Sequence, residues 1–139
     1  MNMQHFIFVS CKYIIGHVSI LKFYCKPSQD TKVSHLQLLF SDILYLETGR
    51  HTVIFHTRKE TFSVPGSLSR FADAFADTKN FLSCGRSYLV NLDFVGGFLN
   101  QDLIMSDNSL IPVPIRKQSE TARIVEEYKN SLAKPTVTF

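Results

Sequence analysis

The sequence has no tryptophan, six glycines and three cysteines in 139 residues. Without Trp, a core has to be assembled from the twelve Phe together with Leu, Ile and Val. No glycine-rich phosphate loop and no Gly-x-Ser-x-Gly elbow is present, so the common nucleotide-binding and serine-hydrolase signatures are missing. Cys11, Cys25 and Cys84 are odd in number and far apart, which argues against a disulfide framework and for a reducing, cytoplasmic setting. A long apolar run is also lacking. Residues 5–25 are apolar overall, but Lys12, His17 and Lys22 interrupt them. A spanning helix needs about 20 mostly apolar residues, and the layout of a signal peptide is absent. A membrane role is therefore not expected.

Excess charge is missing where it would matter most. The chain carries a formal +3, yet residues 34–139 hold eleven Lys/Arg against eleven Asp/Glu and sum to zero. The surplus lies in residues 1–33, where Lys12, Lys22, Lys26 and Lys32 face Asp30 alone. Bulk charge does not make the main segment a nucleic-acid binder; any basic face has to be sorted out by the fold.

What is present is one domain's worth of chain, 45% hydrophobic, enough to bury a normal core. Short β segments are expected at 6–9 and 18–24 around Gly16. The polar, proline-bearing stretch 26–33 reads as a linker, giving an N-terminal extension over 1–33, a domain over 34–134 and a tail over 135–139. Leu36, Leu38 and Phe40 alternate as a strand. In the next run Ile43 and Tyr45 take one face, Leu44 and Leu46 the other. Residues 51–57 and 60–65 form a hairpin with Arg58-Lys59 at its tip. Ser67 is a suitable cap for a short helix bearing Leu68, Phe71 and Phe75. Strands follow near 81–85, 94–99, 102–106 and 109–113; Pro112 and Pro114 put the last at an edge. A C-terminal helix is expected over 116–132, with Ile124, Val125, Tyr128 and Leu132 as its apolar stripe. The fold class is mainly β, with a short middle helix and a C-terminal helix.

Catalytic chemistry is hard to assemble from these residues. Cys84 with His51 or His56 would make a nucleophile and base, but a free cysteine ordinarily serves as a small core residue. His51 and His56, five apart on a strand, would point to opposite faces, which is wrong for a metal pair. Asp42 and Glu47 are separated in the same way. No enzyme activity, metal or cofactor is expected.

Three ordered motifs carry a resemblance. Phe40-Ser41-Asp42-Ile43-Leu44-Tyr45-Leu46-Glu47 resembles the opening "xxDIxYIE" of LytTR DNA-binding domains. Phe81 to Asn91 resembles that family's "FxRxHRSxxVN", and Pro114-Ile115-Arg116 resembles its C-terminal "xPVSR" segment. Ser83 and Gly85 depart from the pattern, standing where an Arg and a His are usual. Residues 1–33 lie outside it and are too short for a receiver domain.

The resemblance implies an elongated, multi-stranded β fold that reads DNA with loops, in a bacterial, stand-alone transcription regulator of the two-component kind. The matching base-contacting positions are His51, Arg86 and Arg116. Arg86 and Arg116 can each present two donors to a guanine edge. Arg50, Ser87 and Lys117 are the expected phosphate contacts. The implied partner is promoter duplex DNA, in direct repeats occupied by two copies, with no small-molecule substrate. Structural alternatives stand beside these roles: Arg86 pairs with Asp93 or Glu47 to pin its turn, and His51 is an ordinary exposed strand residue. Asn91 reads as structural. The rival to DNA binding is an interaction protein that pairs with a full-length response regulator.

Overall fold

A computed structural model describes residues 6–15, 18–25, 35–76 and 78–133. The expected linker over 26–33, the turn at Gly16 and the tail over 135–139 lie outside the described residues.

The chain is mainly β. Strands β1 (Phe6–Ile15), β2 (Val18–Cys25) and β3 (His35–Leu39) form one antiparallel sheet in that order. The two N-terminal strands exceed the short segments read from the sequence, and β2 is hydrogen-bonded to β3 with Lys22 opposite Gln37. A 3-10 turn at Phe40–Asp42 leads into β4 (Ile43–Thr48), followed by β5 (Thr52–Thr57) and β6 (Thr61–Pro65). Helix α1 (Leu68–Ala74) comes next, then β7 (Phe81–Cys84) and β8 (Tyr88–Asn91). Strands β4 to β8 make a five-stranded antiparallel sheet in the order β6-β5-β4-β8-β7. Strands β9 (Val95–Leu99), β10 (Asp102–Met105) and β11 (Leu110–Ile111) form a third sheet, with β11 at its edge as Pro112 and Pro114 require. A 3-10 turn at Ile115–Lys117 runs into helix α2 (Gln118–Ala133).

The five-stranded sheet is buried on both faces. On one, Leu46, Val53, Phe55, Val64 and Leu89 pack with Phe71 and Phe75 from α1 and its C-terminal end. Phe55 and Phe71 meet edge to face at 5.1 Å, a favoured aromatic geometry. On the other, Leu44, Tyr45 and Val90 meet Leu103, Met105 and Ile111 of the third sheet and Val125 of α2.

Two details differ from the sequence reading. Simple alternation would place Ile43 with Tyr45 and Leu44 with Leu46, but Ile43 shares the first cluster with Leu46, and Leu44 the second with Tyr45. The cause is a register shift against β5 between Ile43 and Tyr45, which breaks the period of two. On α2 the buried face is Thr121, Ile124, Val125 and Tyr128, whereas Leu132 is 64% exposed. The packed part of the helix ends one turn earlier than the apolar pattern suggests.

Candidate nucleic-acid interface

Several loops meet at one end of the five-stranded sheet. The β4–β5 turn closes with the Gly49 N–H donating to the Thr52 carbonyl at 2.8 Å. A Cβ on Gly49 would lie 2.5 Å from the Thr52 Oγ1, so any side chain there would force Thr52 to shift. Arg50 and His51 follow, both exposed. His51 has φ 57, a left-handed conformation that costs a non-glycine residue about 1–2 kcal/mol. Its carbonyl accepts the Gly66 N–H at 3.1 Å, which ties this turn to the loop before α1.

His51 therefore precedes β5 and does not share a strand with His56. The two histidines have separate environments. His56 stacks on Tyr45 with ring centroids 4.1 Å apart, and its Nε2 is 2.6 Å from the Glu47 Oε1. His51 is instead held outside the ladder by a strained backbone, which the reading as an ordinary strand residue does not account for.

The β7–β8 turn carries the central motif. Gly85 has φ +69, a conformation glycine adopts freely. Arg86 and Ser87 are exposed. The Ser87 carbonyl accepts the Thr48 N–H at 2.8 Å, and the Arg86 carbonyl accepts the Thr48 hydroxyl at 3.4 Å. The β4–β5 and β7–β8 turns are thus fastened to each other. A Cβ on Gly85 would lie 3.2 Å from the Pro114 Cγ, so the segment leading to Arg116 and Lys117 abuts the same turn. Lys117 donates its backbone N–H to the Pro114 carbonyl at 2.8 Å, closing a 3-10 turn that carries both basic side chains. The structure in this way gathers all six residues singled out from the sequence: Arg50 and His51 on one turn, Arg86 and Ser87 on the next, Arg116 and Lys117 against it.

The carboxylates proposed as partners for Arg86 are engaged elsewhere. Glu47 meets His56, while Asp93 accepts from Asn80 at 3.2 Å and from the Tyr128 hydroxyl. Among the described residues, Arg50, Arg86, Arg116 and Lys117 make no ion pair. Arg58, at the hairpin tip, does have a partner in Asp42 at 3.9 Å. Asn91 is structural: fully buried, it donates to the Ile43 carbonyl at 2.8 Å and accepts the Asp93 N–H at 3.0 Å.

The nucleophile reading of Cys84 fails on its environment. Its side chain is 1% exposed, and burial pushes the thiol up to about 11, with the Lys117 ammonium pulling weakly the other way. A buried thiol so reluctant to ionise is a core residue. Among the described residues, no group of three or more His, Cys, Asp or Glu is placed to hold a metal ion. No helix among them is long and apolar enough to cross a membrane.

The sequence reading missed a concavity of about 730 Å³ beside these turns, with His51, Ser67, Ser69, Ser83 and Arg86 among its lining residues. The sequence marks Ser67 only as a helix cap. It makes no side-chain capping bond, and its hydroxyl lies 3.2 Å from that of Ser69. Its only local mark in the sequence is the pair of serines, Ser67 and Ser69, on either side of the core residue Leu68.

Comparison with known proteins bears on the family and the fold. The family model described as "LytTr DNA-binding domain" matches residues 34–126. Among solved structures, a LytTr DNA-binding domain from Bacillus cereus superposes with a TM-score of 0.50 at 20% identity, over 78% of this chain and 94% of that one. At that identity the likeness concerns the fold. No curated protein matches the chain.

Proposed function

The chain belongs to the LytTR DNA-binding domain family, and from that premise we propose that it regulates transcription by reading the major groove of promoter DNA with loop residues. Arg86 and Arg116 each offer a planar fork to the O6 and N7 of a guanine. His51 supplies a further base-edge donor, and Arg50, Ser87 and Lys117 hold the phosphates on either side. The binding unit is residues 34–134. Two copies occupy direct repeats, each reading one half-site.

One observation carries the assignment. Three turns distant in sequence are bonded or packed together through Thr48, Ser87, Gly85 and Pro114, and their cations have no carboxylate partner among the described residues. A salt-bridging role for those cations would need such partners; a duplex offers them phosphates and guanine edges. No step of covalent chemistry is required of the protein.

A gel-shift titration on promoter fragments tests the reading. Arg86→Ala should lose roughly 1–3 kcal/mol of specific affinity, and a lysine should not restore it, because the two-donor fork is gone. Specific binding that survives Arg86→Ala unchanged would remove Arg86 from the set. Failure of the unaltered chain to bind any fragment, with a second regulator co-purifying, would replace DNA reading by protein pairing.

A further inference from the structure

The concavity beside Arg86 is unlike the turns that flank it. Its rim is hydroxyl-bearing, with Ser67 and Ser69 at the start of α1 and Ser83 on β7. Leu68 and Ala72 supply apolar wall. No acidic residue lines it, and the cation and imidazole at its border are Arg86 and His51. Ser83 is exposed and makes no side-chain hydrogen bond among the described residues. The surface thus offers uncharged donors around an apolar patch, and it is continuous with the turns assigned to base reading.

We propose that this concavity seats the sugar–phosphate backbone of the duplex, with Ser69 and Ser83 donating hydrogen bonds to phosphate oxygens and the wall formed by Leu68 and Ala72 meeting the deoxyribose. The inference rests on the duplex-binding reading and adds a division of labour to it. The cations supply the salt-sensitive part of the affinity, because each neutralised phosphate releases counterions. A hydroxyl releases none, so the seat contributes affinity that persists as salt rises. The seat carries no sequence information and acts on every duplex alike.

The test is fluorescence anisotropy of the full chain on a labelled DNA duplex of arbitrary sequence, titrated across a series of salt concentrations. Each of Ser69→Ala and Ser83→Ala should weaken binding about tenfold or more, the effect of one hydrogen bond to a charged group, and leave the slope of log K against log salt unchanged. Ser83→Arg should tighten binding at low salt and steepen the slope by about 0.9, one added phosphate contact. Millimolar inorganic phosphate should not displace the duplex beyond its effect as salt; selective displacement would assign the concavity to a free anion and overturn the proposal. Alanine variants that bind as the unaltered chain does, or a Ser83→Arg variant with an unchanged slope, would also overturn the seat while leaving the base-reading turns standing. An unaltered chain that binds no duplex overturns the parent reading, and the seat with it.

Discussion

Gly85 and Pro114 pack so closely that a methyl group on the glycine would lie 3.2 Å from the proline Cγ and 3.6 Å from its Cδ. The contact joins the turn bearing Arg86 to the segment bearing Arg116. Gly85→Ala adds a left-handed strain of about 1–2 kcal/mol to that crowding. It should lower stability in urea denaturation and weaken specific DNA binding together. In the Gly85→Ala/Pro114→Ala double variant the crowding part should return and the strain part should remain. Strict additivity of the two changes would show that the residues are not coupled.

His51 should show the opposite sign for stability and function. Glycine adopts φ 57 without strain, so His51→Gly is expected to leave the fold as stable or to raise its stability by up to about 1 kcal/mol. The same change removes the imidazole and should reduce affinity for a specific site. A variant that loses stability instead would mean that the side chain holds the turn together.

Tyr128 ties α2 to the turn after β8 through its hydrogen bond to Asp93. Tyr128→Phe removes that donor, and Asp93 keeps Asn80 as a partner. The pair is partly open to solvent, so a loss of about 1 kcal/mol is expected in a denaturant melt. A silent substitution would show that packing alone holds the helix.

The chain should be labile to alkali. Burial raises the Cys84 thiol from 9.0 to about 11. Tyr45, Tyr88 and Tyr128 are raised above 10.0, each mainly by burial, and Tyr128 also by its bond to Asp93. All four groups hold their protons more tightly when folded, so the unfolded chain loses protons first as pH rises. The stabilisation is complete below about pH 9 for Cys84 and is lost as pH climbs to about 11; it is worth roughly 2–3 kcal/mol. The tyrosine contributions begin to fall above pH 10. Urea midpoints measured from pH 8 to 11 should decline, and less so in Cys84→Ala relative to that variant's own value at pH 8. A flat profile would contradict the assignment.

Much of the architecture was legible in the sequence because its signals are local. β-rich runs marked β5 and β6, and helical spacing of Leu68, Phe71 and Phe75 marked α1. The prolines after Ile111 marked an edge strand. The misreadings share a different cause. The register shift beside Ile43 depends on the partner strand, so alternation within β4 could not reveal it. Leu132 continues a periodic stripe, but the surface it would cover stops at Tyr128. At the interface, motif order pointed to the six polar residues, which are contiguous in pairs. The serine-lined concavity is built from segments near 48–51, 66–72 and 83–86, and no single stretch announces it. His51 looked like a strand residue because its left-handed backbone follows from the tight closure between Gly49 and Thr52.

The bond between the Thr48 N–H and the Ser87 carbonyl continues the pairing of β4 with β8 out into the turns that carry His51 and Arg86. Those turns are therefore ordered when the domain folds, before any duplex arrives. Immobilising a loop at the moment of association is a recurrent entropic penalty in recognition, and here that penalty falls on folding instead. Association should consequently resemble rigid docking, with little gain of secondary structure on binding. Differences in affinity between target sites should appear mainly in how fast the complex dissociates.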